Sequence, residues 1–248
     1  MSFGQNLLFL RKMKNNMTQE ELADCLNVSR QTVSKWELDA AYPEMEKLLA
    51  LCGLFSCSLD QLVREDMNLT NEAFSNIRIE EVESFRYISY TVISPEPEDD
   101  ATGHVKRWAQ QIGIGNPRII GWDFPAVSQE QRNVHHMHGY GAALVLEEGI
   151  SEEGLPAEVK RQDRQRYIAI TIKSPFMAPF DLIPNAYKVL MAYMNTNGLK
   201  GKWDGHMLDC FEKVYDLDGV CYMDVYIAIE QGQAERTWPR SRPEELLP

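Results

Sequence analysis

The sequence predicts two domains of different fold class: an all-α domain first, and an α+β domain over most of the remainder. The first prediction rests on residues 18–37, where apolar side chains recur every three or four residues between residues typical of helix ends. The second rests on an internal repeat of ten residues at a spacing of 80. We therefore divide the 248 residues into a first domain (1–66), a linker (67–77), a second domain (78–231) and an extended C-terminal tail (232–248).

Residues 18–37 (TQEELADCLNVSRQTVSKWE) predict two short helices joined by a tight turn. Thr18 and Glu21 form a capping box, which begins the first of these helices. Asn27 tolerates the left-handed backbone of a tight turn, and Ser29 caps the next helix. The inner faces are apolar and consist of Leu22, Ala23, Leu26, Val33 and Trp36. This pattern is typical of a helix-turn-helix.

The outer face of the second helix carries side chains that can hydrogen-bond base edges or phosphates in a DNA major groove. Its predicted contact residues are Ser29, Arg30, Gln31, Thr32, Ser34 and Lys35. A helical hairpin that binds no DNA is the alternative. The cap, turn, apolar stripe and polar face agree over 20 residues, so we predict binding to double-stranded DNA.

Residues 1 to about 66 resemble the phage-repressor (Cro/repressor, Xre-type) family of DNA-binding domains, which are compact five-helix domains. The matching segments are LLFLRKMK (7–14), TQEELA, SRQTVSKWE, PEMEKLLALCGLF (43–55) and SLDQLVRE (58–65). The resemblance implies that Gln19 anchors a phosphate and that Arg11 pairs with Glu37 inside the domain. Asn27 replaces a glycine usual in the family.

The net charge of −12 is unusual for a DNA-binding protein. Residues 1–70 contain 7 basic and 10 acidic residues, and the remainder contains 18 and 27, so both parts are acidic. Because affinity for random DNA comes mostly from neutralising phosphates, we expect it to be low. The cations in or beside the motif are Arg11, Lys12, Lys14, Arg30 and Lys35.

Nothing in the sequence indicates export or membrane insertion. The five cysteines form no CxxC pair, and their odd number argues against a disulfide framework. No apolar run approaches the roughly 20 residues of a membrane-spanning helix. We expect a cytoplasmic protein.

The second domain contains an internal duplication. RYISYTVISP (86–95) and RYIAITIKSP (166–175) share six of ten residues, and each reads as a strand that ends at proline. A helical segment (104–114 or 183–199) and two further strands follow each copy, the strands being 117–124 and 138–147, then 207–215 and 221–230. Two strand-helix-strand-strand units predict two sheets related by a pseudo-two-fold axis, with a groove between them.

Residues 77–231 resemble the GyrI-like (gyrase-inhibitor-like) effector-binding domains found behind AraC-type and MerR-type DNA-binding domains. The resemblance is strongest in CFEKVYDLDGVCYMDVYIAIE (210–230) and weakest in the first repeat, where an acidic loop (96–103) replaces a shorter segment. It implies that a small, cationic or lipophilic effector binds in the groove, facing a glutamate on the penultimate strand. The matching residue is Glu212.

The residue pattern also favours Glu212 as a binding residue. In an extended 207–215 segment, Glu212 shares a face with Leu208, Cys210 and Val214, and a carboxylate in such an apolar row takes up a proton or a cation. The predicted aromatic ligand contacts are Trp122, Tyr140, Phe176, Phe180 and Tyr187. The alternative is a solvated edge-strand glutamate, with aromatic residues that only fill the core.

Together these features predict a transcriptional regulator that binds DNA as a homodimer and responds to a small-molecule effector. The fifth helix, with Leu59, Leu62 and Val63 on one stripe, or the effector domain would supply the dimer contact. A hydrolase with Glu212 as base and Tyr140 or Tyr215 as proton donor is the main alternative, and a sequestering module is another. His135, His136 and His138 suggest a metal site only weakly, and we expect no catalytic residue, metal or cofactor.

Overall fold

The structure, a computed structural model, describes residues 2–65, 67, 72–203, 205 and 208–230. The tail predicted over 232–248 lies outside them. An all-α domain is followed by an α+β domain, as predicted. Within the described residues, no helix combines the length and apolar character needed to cross a membrane.

Five short helices form the N-terminal domain. They are α1 (Phe3–Met13), α2 (Gln19–Leu26), α3 (Arg30–Glu37), α4 (Met45–Phe55) and α5 (Leu59–Val63). Thr18 and Glu21 form the predicted capping box, Asn27 is left-handed at φ 53°, and the Ser29 side chain caps α3. A second capping box, Ser2 with Gln5, begins α1 four residues before the predicted start.

The apolar faces predicted for α2 and α3 are the core of this domain. Leu22, Val33 and Trp36 are buried together with side chains of α1, α4 and α5. Leu62 is also completely buried, and Asn6 donates to its carbonyl at 3.1 Å. Of the α5 stripe proposed for dimerisation, Leu62 therefore belongs to the core, whereas Leu59 is half-buried and Val63 is 39% exposed.

The second domain consists of eight antiparallel strands and three α-helices among the described residues. In chain order they are β1 (Phe74–Val82), β2 (Phe85–Ser94), α6 (Pro97–Gln111), β3 (Ile119–Asp123), α7 (Gln129–Asn133), β4 (His138–Leu146), β5 (Lys160–Gln162), β6 (Gln165–Lys173), α8 (Pro179–Asn197), β7 (Cys210–Leu217) and β8 (Val220–Ala228), with a 3₁₀ turn at Pro175–Met177. The strands are ordered β1-β6-β8-β7-β3-β4-β2-β5.

The two repeat units are present, but the prediction of two separate sheets is wrong. The units β2-α6-β3-β4 and β6-α8-β7-β8 join edge to edge, since β3 pairs with β7 through Ile120↔Lys213 and Gly121↔Glu212. This pairing satisfies the edges that both β3 and β7 would otherwise expose. One continuous sheet results, and the pseudo-two-fold axis passes through its centre.

Two other expectations need correction. β1 begins at Phe74, inside the segment assigned to the linker, and pairs with β6. The acidic segment 96–103 is mostly the first two turns of α6 rather than a loop. Pro97 starts this helix, and Glu98 and Asp99 favour it because carboxylates interact well with a helix N-terminus.

The helices α6 and α8 cover separate parts of one sheet face. The side chains of α6 pack on β2 and β4, and those of α8 pack on β6 and β8. The central strands β3 and β7 consequently lie between the two helices. The opposite face carries its own apolar cluster, which includes Ile120, Phe211 and Tyr226.

Candidate DNA-binding surface and ligand site

The predicted DNA-contacting side chains gather on one surface of the N-terminal domain. A concavity of about 370 Å³ is lined by Gln19, Arg30, Gln31, Ser34 and Lys35. The N-caps of α2 and α3 fix this arrangement, because each begins its helix at the concavity. Arg30, Gln31 and Lys35 are exposed.

Three predicted DNA contacts have partners within the protein. The hydroxyls of Ser29 and Thr32 lie 2.9 Å apart, and Ser29 Oγ accepts the Thr32 backbone N–H at 3.1 Å. Gln19 Nε2 donates to Glu37 Oε2 at 2.8 Å. These contacts orient the three side chains, and none of them buries Gln31, Arg30 or Lys35.

The cations near the motif are fewer than the sequence suggested. Arg11 is buried and paired with Glu37 at 2.5 Å, as the resemblance implied. Lys14 donates to the Thr196 carbonyl in the second domain, and burial lowers the pKa of its ammonium group. Of the five cations, Lys12, Arg30 and Lys35 are exposed; Arg30 and Lys35 line the concavity, and Lys12 lines a different cavity next to the second domain.

Glu212 lies on the helix-bearing face of the central strand β7 and is 5% exposed. Two tyrosine hydroxyls donate to its carboxylate: Tyr140 of β4 to Oε2 at 2.9 Å, and Tyr187 of α8 to Oε1 at 3.1 Å. The carboxylate thus receives one donor from each repeat unit. The structure brings together three of the six predicted ligand residues.

Gly121 makes this arrangement possible. It pairs directly with Glu212, and a Cβ at this position would overlap the Tyr140 hydroxyl. Strand registers also make the two residues equivalent in the repeat: Tyr90 and the matching Ile170 lead through their partners Ala142 in β4 and Val225 in β8 to Gly121 and Glu212. The pseudo-two-fold axis therefore passes between them.

The surroundings favour the neutral form of Glu212. Burial is the main cause that raises the pKa of its carboxyl to about 7, and the carboxylates of Asp123 and Glu98 raise it further. The two tyrosine hydrogen bonds act in the opposite direction. Burial and the nearby Glu212 charge raise the pKa of Tyr140 and of Tyr187, so both hydroxyls remain donors at neutral pH.

The remaining predicted ligand residues do not surround Glu212. Trp122 lies on the opposite face of the sheet, where its ring packs at Gly141. Phe176 is 56% exposed and Phe180 90% exposed, so neither forms the wall of a closed cage. Tyr215 also points to the opposite face, with its hydroxyl 3.4 Å from Asp224, and is unavailable as a proton donor beside Glu212.

Sequence reasoning missed Gly121, Asp123 and Glu98. Burial raises the pKa of both Asp123 and Glu98, and the charges of Asp123 and Asp99 raise that of Glu98 further, whereas His138 lowers the pKa of both carboxyls. Alternation along β3 places Gly121 and Asp123 on one face, a signal that the sequence contained. The region around Glu212 therefore contains three neighbouring acidic groups: Glu212, Asp123 and Glu98.

Comparison with known proteins identifies the first domain. Residues 7–62 match the model of a helix-turn-helix family, HTH_3. Residues 7–62 form a helix-turn-helix domain. The chain is 43% identical over 70 residues to the HTH-type transcriptional activator BcrR of Enterococcus faecalis. The aligned segment is 28% of this chain and 34% of BcrR. It is 36% identical over 64 residues to repressor protein C2 of Salmonella phage P22, which covers 26% of this chain and 30% of C2.

The chain spans about a third of the length of these two relatives. Among solved structures, it is similar to EcmrR in a cryo-EM structure of an EcmrR–DNA complex, with a TM-score of 0.46 and 13% identity. That match covers 89% of this chain and 80% of EcmrR.

Proposed function

We propose that this protein is a DNA-binding transcriptional regulator whose second domain binds a small organic cation at Glu212. The observation that carries the proposal is a buried carboxylate between two tyrosine hydroxyls, in the same chain as an exposed helix-turn-helix surface. The similarity of the first domain to the regulators BcrR and C2 supports the DNA-binding part.

The DNA-binding part depends on α3. Arg30, Gln31 and Lys35 are exposed on one concave surface and are residue types that read base edges or hold phosphates. Because few exposed cations lie beside α3 and the net charge is −12, contacts with phosphates give the protein little affinity for random DNA. Base contacts must then contribute a large share of its affinity for an operator.

Replacement of Gln31 tests this assignment. Duplexes selected from a random pool by the wild-type protein supply a preferred sequence, and binding is then measured against an unselected duplex. Gln31→Ala should reduce the preference by about 1–3 kcal/mol, the value of one good base contact. Gln110→Ala, at an exposed helical glutamine of the second domain, is the control. Equal losses on both duplexes would exclude base reading by Gln31.

The cation-binding part of the proposal depends on the environment of Glu212, which disfavours the ionised form of its carboxyl. Its carboxylate is desolvated and close to other acids, so a bound cation restores the ionised form and gains an ion pair of low solvent exposure. The rings of Tyr140 and Tyr187 offer faces for cation–π contact, worth about 0.5–2 kcal/mol each. A lipophilic aromatic cation suits this combination.

Calorimetric titration with tetraphenylphosphonium and with neutral triphenylphosphine oxide tests the site. Glu212→Gln should weaken binding of the cation at least about tenfold, or about 1.4 kcal/mol, and binding of the neutral compound much less. Glu147→Gln, at an exposed glutamate, should change neither affinity. Equal cation affinities in wild type and Glu212→Gln would show that Glu212 takes no part in binding the cation. A ligand that co-purifies with the protein would distinguish a sensor, which returns it unchanged after long incubation, from a hydrolase.

A further inference from the structure

We propose that helix α8 transmits the state of Glu212 to the helix-turn-helix domain. The inference rests on the proposed function for the identity of the ligand, but the link itself consists of contacts within the chain. Two parts of α8 support the proposal: Tyr187, in the middle of the helix, donates to Glu212, and the C-terminal segment 192–197 contacts the N-terminal domain.

A ligand that reaches the Glu212 carboxylate has to displace one of the two tyrosine hydroxyls bonded to it. The carboxylate is 5% exposed and is covered by two hydroxyl donors, so no open approach reaches it. Tyr140 belongs to β4, which is paired on one side with β2 and on the other with β3. Tyr187 is only half-buried and belongs to a helix. Tyr187 is therefore the hydrogen-bond donor that a ligand displaces from Glu212.

Near its C-terminal end, α8 is hydrogen-bonded to the segment that connects α1 to α2. Tyr193 donates to Asn15 Oδ1 at 2.8 Å, and Asn197 Nδ2 donates to the Met13 carbonyl at 2.8 Å. From the opposite side, Lys14 donates to the carbonyl of Thr196. Three consecutive residues, 13–15, are thus bonded to α8.

Apolar packing joins the domains at the same place. Met13 packs against the cores of both domains, and Ala192 of α8 packs against the N-terminal core. Neither proline nor glycine interrupts α8 between Tyr187 and Asn197, a span of about 15 Å. A displacement of Tyr187 that tilts the helix therefore reaches these contacts.

The connection has room to move and leads to the DNA-contacting surface. A cavity of about 380 Å³ lies beside it, lined by residues of both domains that include Asn15, Asn16, Phe74 and Tyr193. Residues 14–17 lead directly into α2, whose first residue, Gln19, lines the DNA-facing concavity. A shift of residues 14–17 thus alters the position of α2.

Hydrogen exchange followed by mass spectrometry tests the link in the full chain. The amides of residues 15–17 are bonded to carbonyls of residues 12–14, so their exchange reports local opening. Tyr187→Phe keeps the ring but removes the bond to Glu212. In ligand-free protein it should accelerate exchange at 15–17 by about threefold or more. Tyr222→Phe is the control, because the Tyr222 hydroxyl has no hydrogen bond among the residues the structure describes.

The same measurement with saturating tetraphenylphosphonium completes the test. The cation should accelerate exchange at 15–17 in wild type and have little further effect in Tyr187→Phe, which should bind it at least as tightly. Tyr193→Phe should accelerate exchange at 15–17 without changing cation affinity, since it removes the bond to Asn15 and leaves the bond from Tyr187 to Glu212.

If exchange at 15–17 in Tyr187→Phe equals that in wild type and in Tyr222→Phe, α8 does not transmit the state of Glu212. Failure of tetraphenylphosphonium to bind wild type would overturn the proposed ligand class instead. The ligand-free comparison would still decide the role of α8.

Discussion

The affinity of this protein for an organic cation should fall as the pH falls from 8 to 6. Burial raises the pKa of Glu212 from its ordinary value near 4.5 to about 7, so its carboxyl gains a proton over this range. A cation binds the ionised form and competes with that proton. The ionised fraction is about 90% at pH 8 and about 10% at pH 6, so the dissociation constant should rise about tenfold.

Calorimetric titration of tetraphenylphosphonium at pH 8 and pH 6 measures this change. The Glu212→Gln variant retains the other titratable groups near the site, which are Glu98, Asp123, His138, Tyr140, Tyr187 and Cys210. The variant should bind weakly and almost equally at both pH values. Neutral triphenylphosphine oxide should bind wild type equally at both. A wild-type affinity that is independent of pH, or a variant with the same tenfold dependence, would refute the reasoning.

Two further predictions concern the N-terminal domain and assembly. Arg11→Met should lower the free energy of unfolding by about 3–5 kcal/mol, because it leaves the buried Glu37 carboxylate without its cation. In urea denaturation, Arg11→Met with Glu37→Leu should recover most of that loss; a double variant as unstable as Arg11→Met would contradict this account. We also expect a homodimer on a near-palindromic operator, since two helix-turn-helix units read half-sites about 34 Å apart. Sedimentation of a monomer at micromolar concentration, both free and on DNA, would contradict it.

The sequence predicted the N-terminal domain well because its signals are local. A capping box, a left-handed asparagine and a serine cap each act within four residues, and all three occur at the predicted positions. The start of α1 was missed because Ser2 caps it with Gln5, outside the matched segment.

The second domain was predicted less completely because its features depend on pairing between distant strands. Whether Trp122 faces Glu212 is decided by the register of β3 against β7, and a change of one residue would reverse it. The polar edge strand β1 has no clear alternation, so it resembled a linker. Glu212 was singled out by the resemblance to GyrI-like domains, and its place in an apolar row, which is visible in the sequence, agrees with its burial.

The pairing of Gly121 with Glu212 shows how a single charged residue can lie beside a pseudo-two-fold axis. Two identical chains that joined through this strand would present either two carboxylates about 5 Å apart or none. Two like charges that close would repel, and one would remain protonated. Duplication within a single chain removes this restriction, because each copy can change alone. A single negative charge beside the axis, paired with a glycine, is possible in the duplicated chain but not in a pair of identical chains.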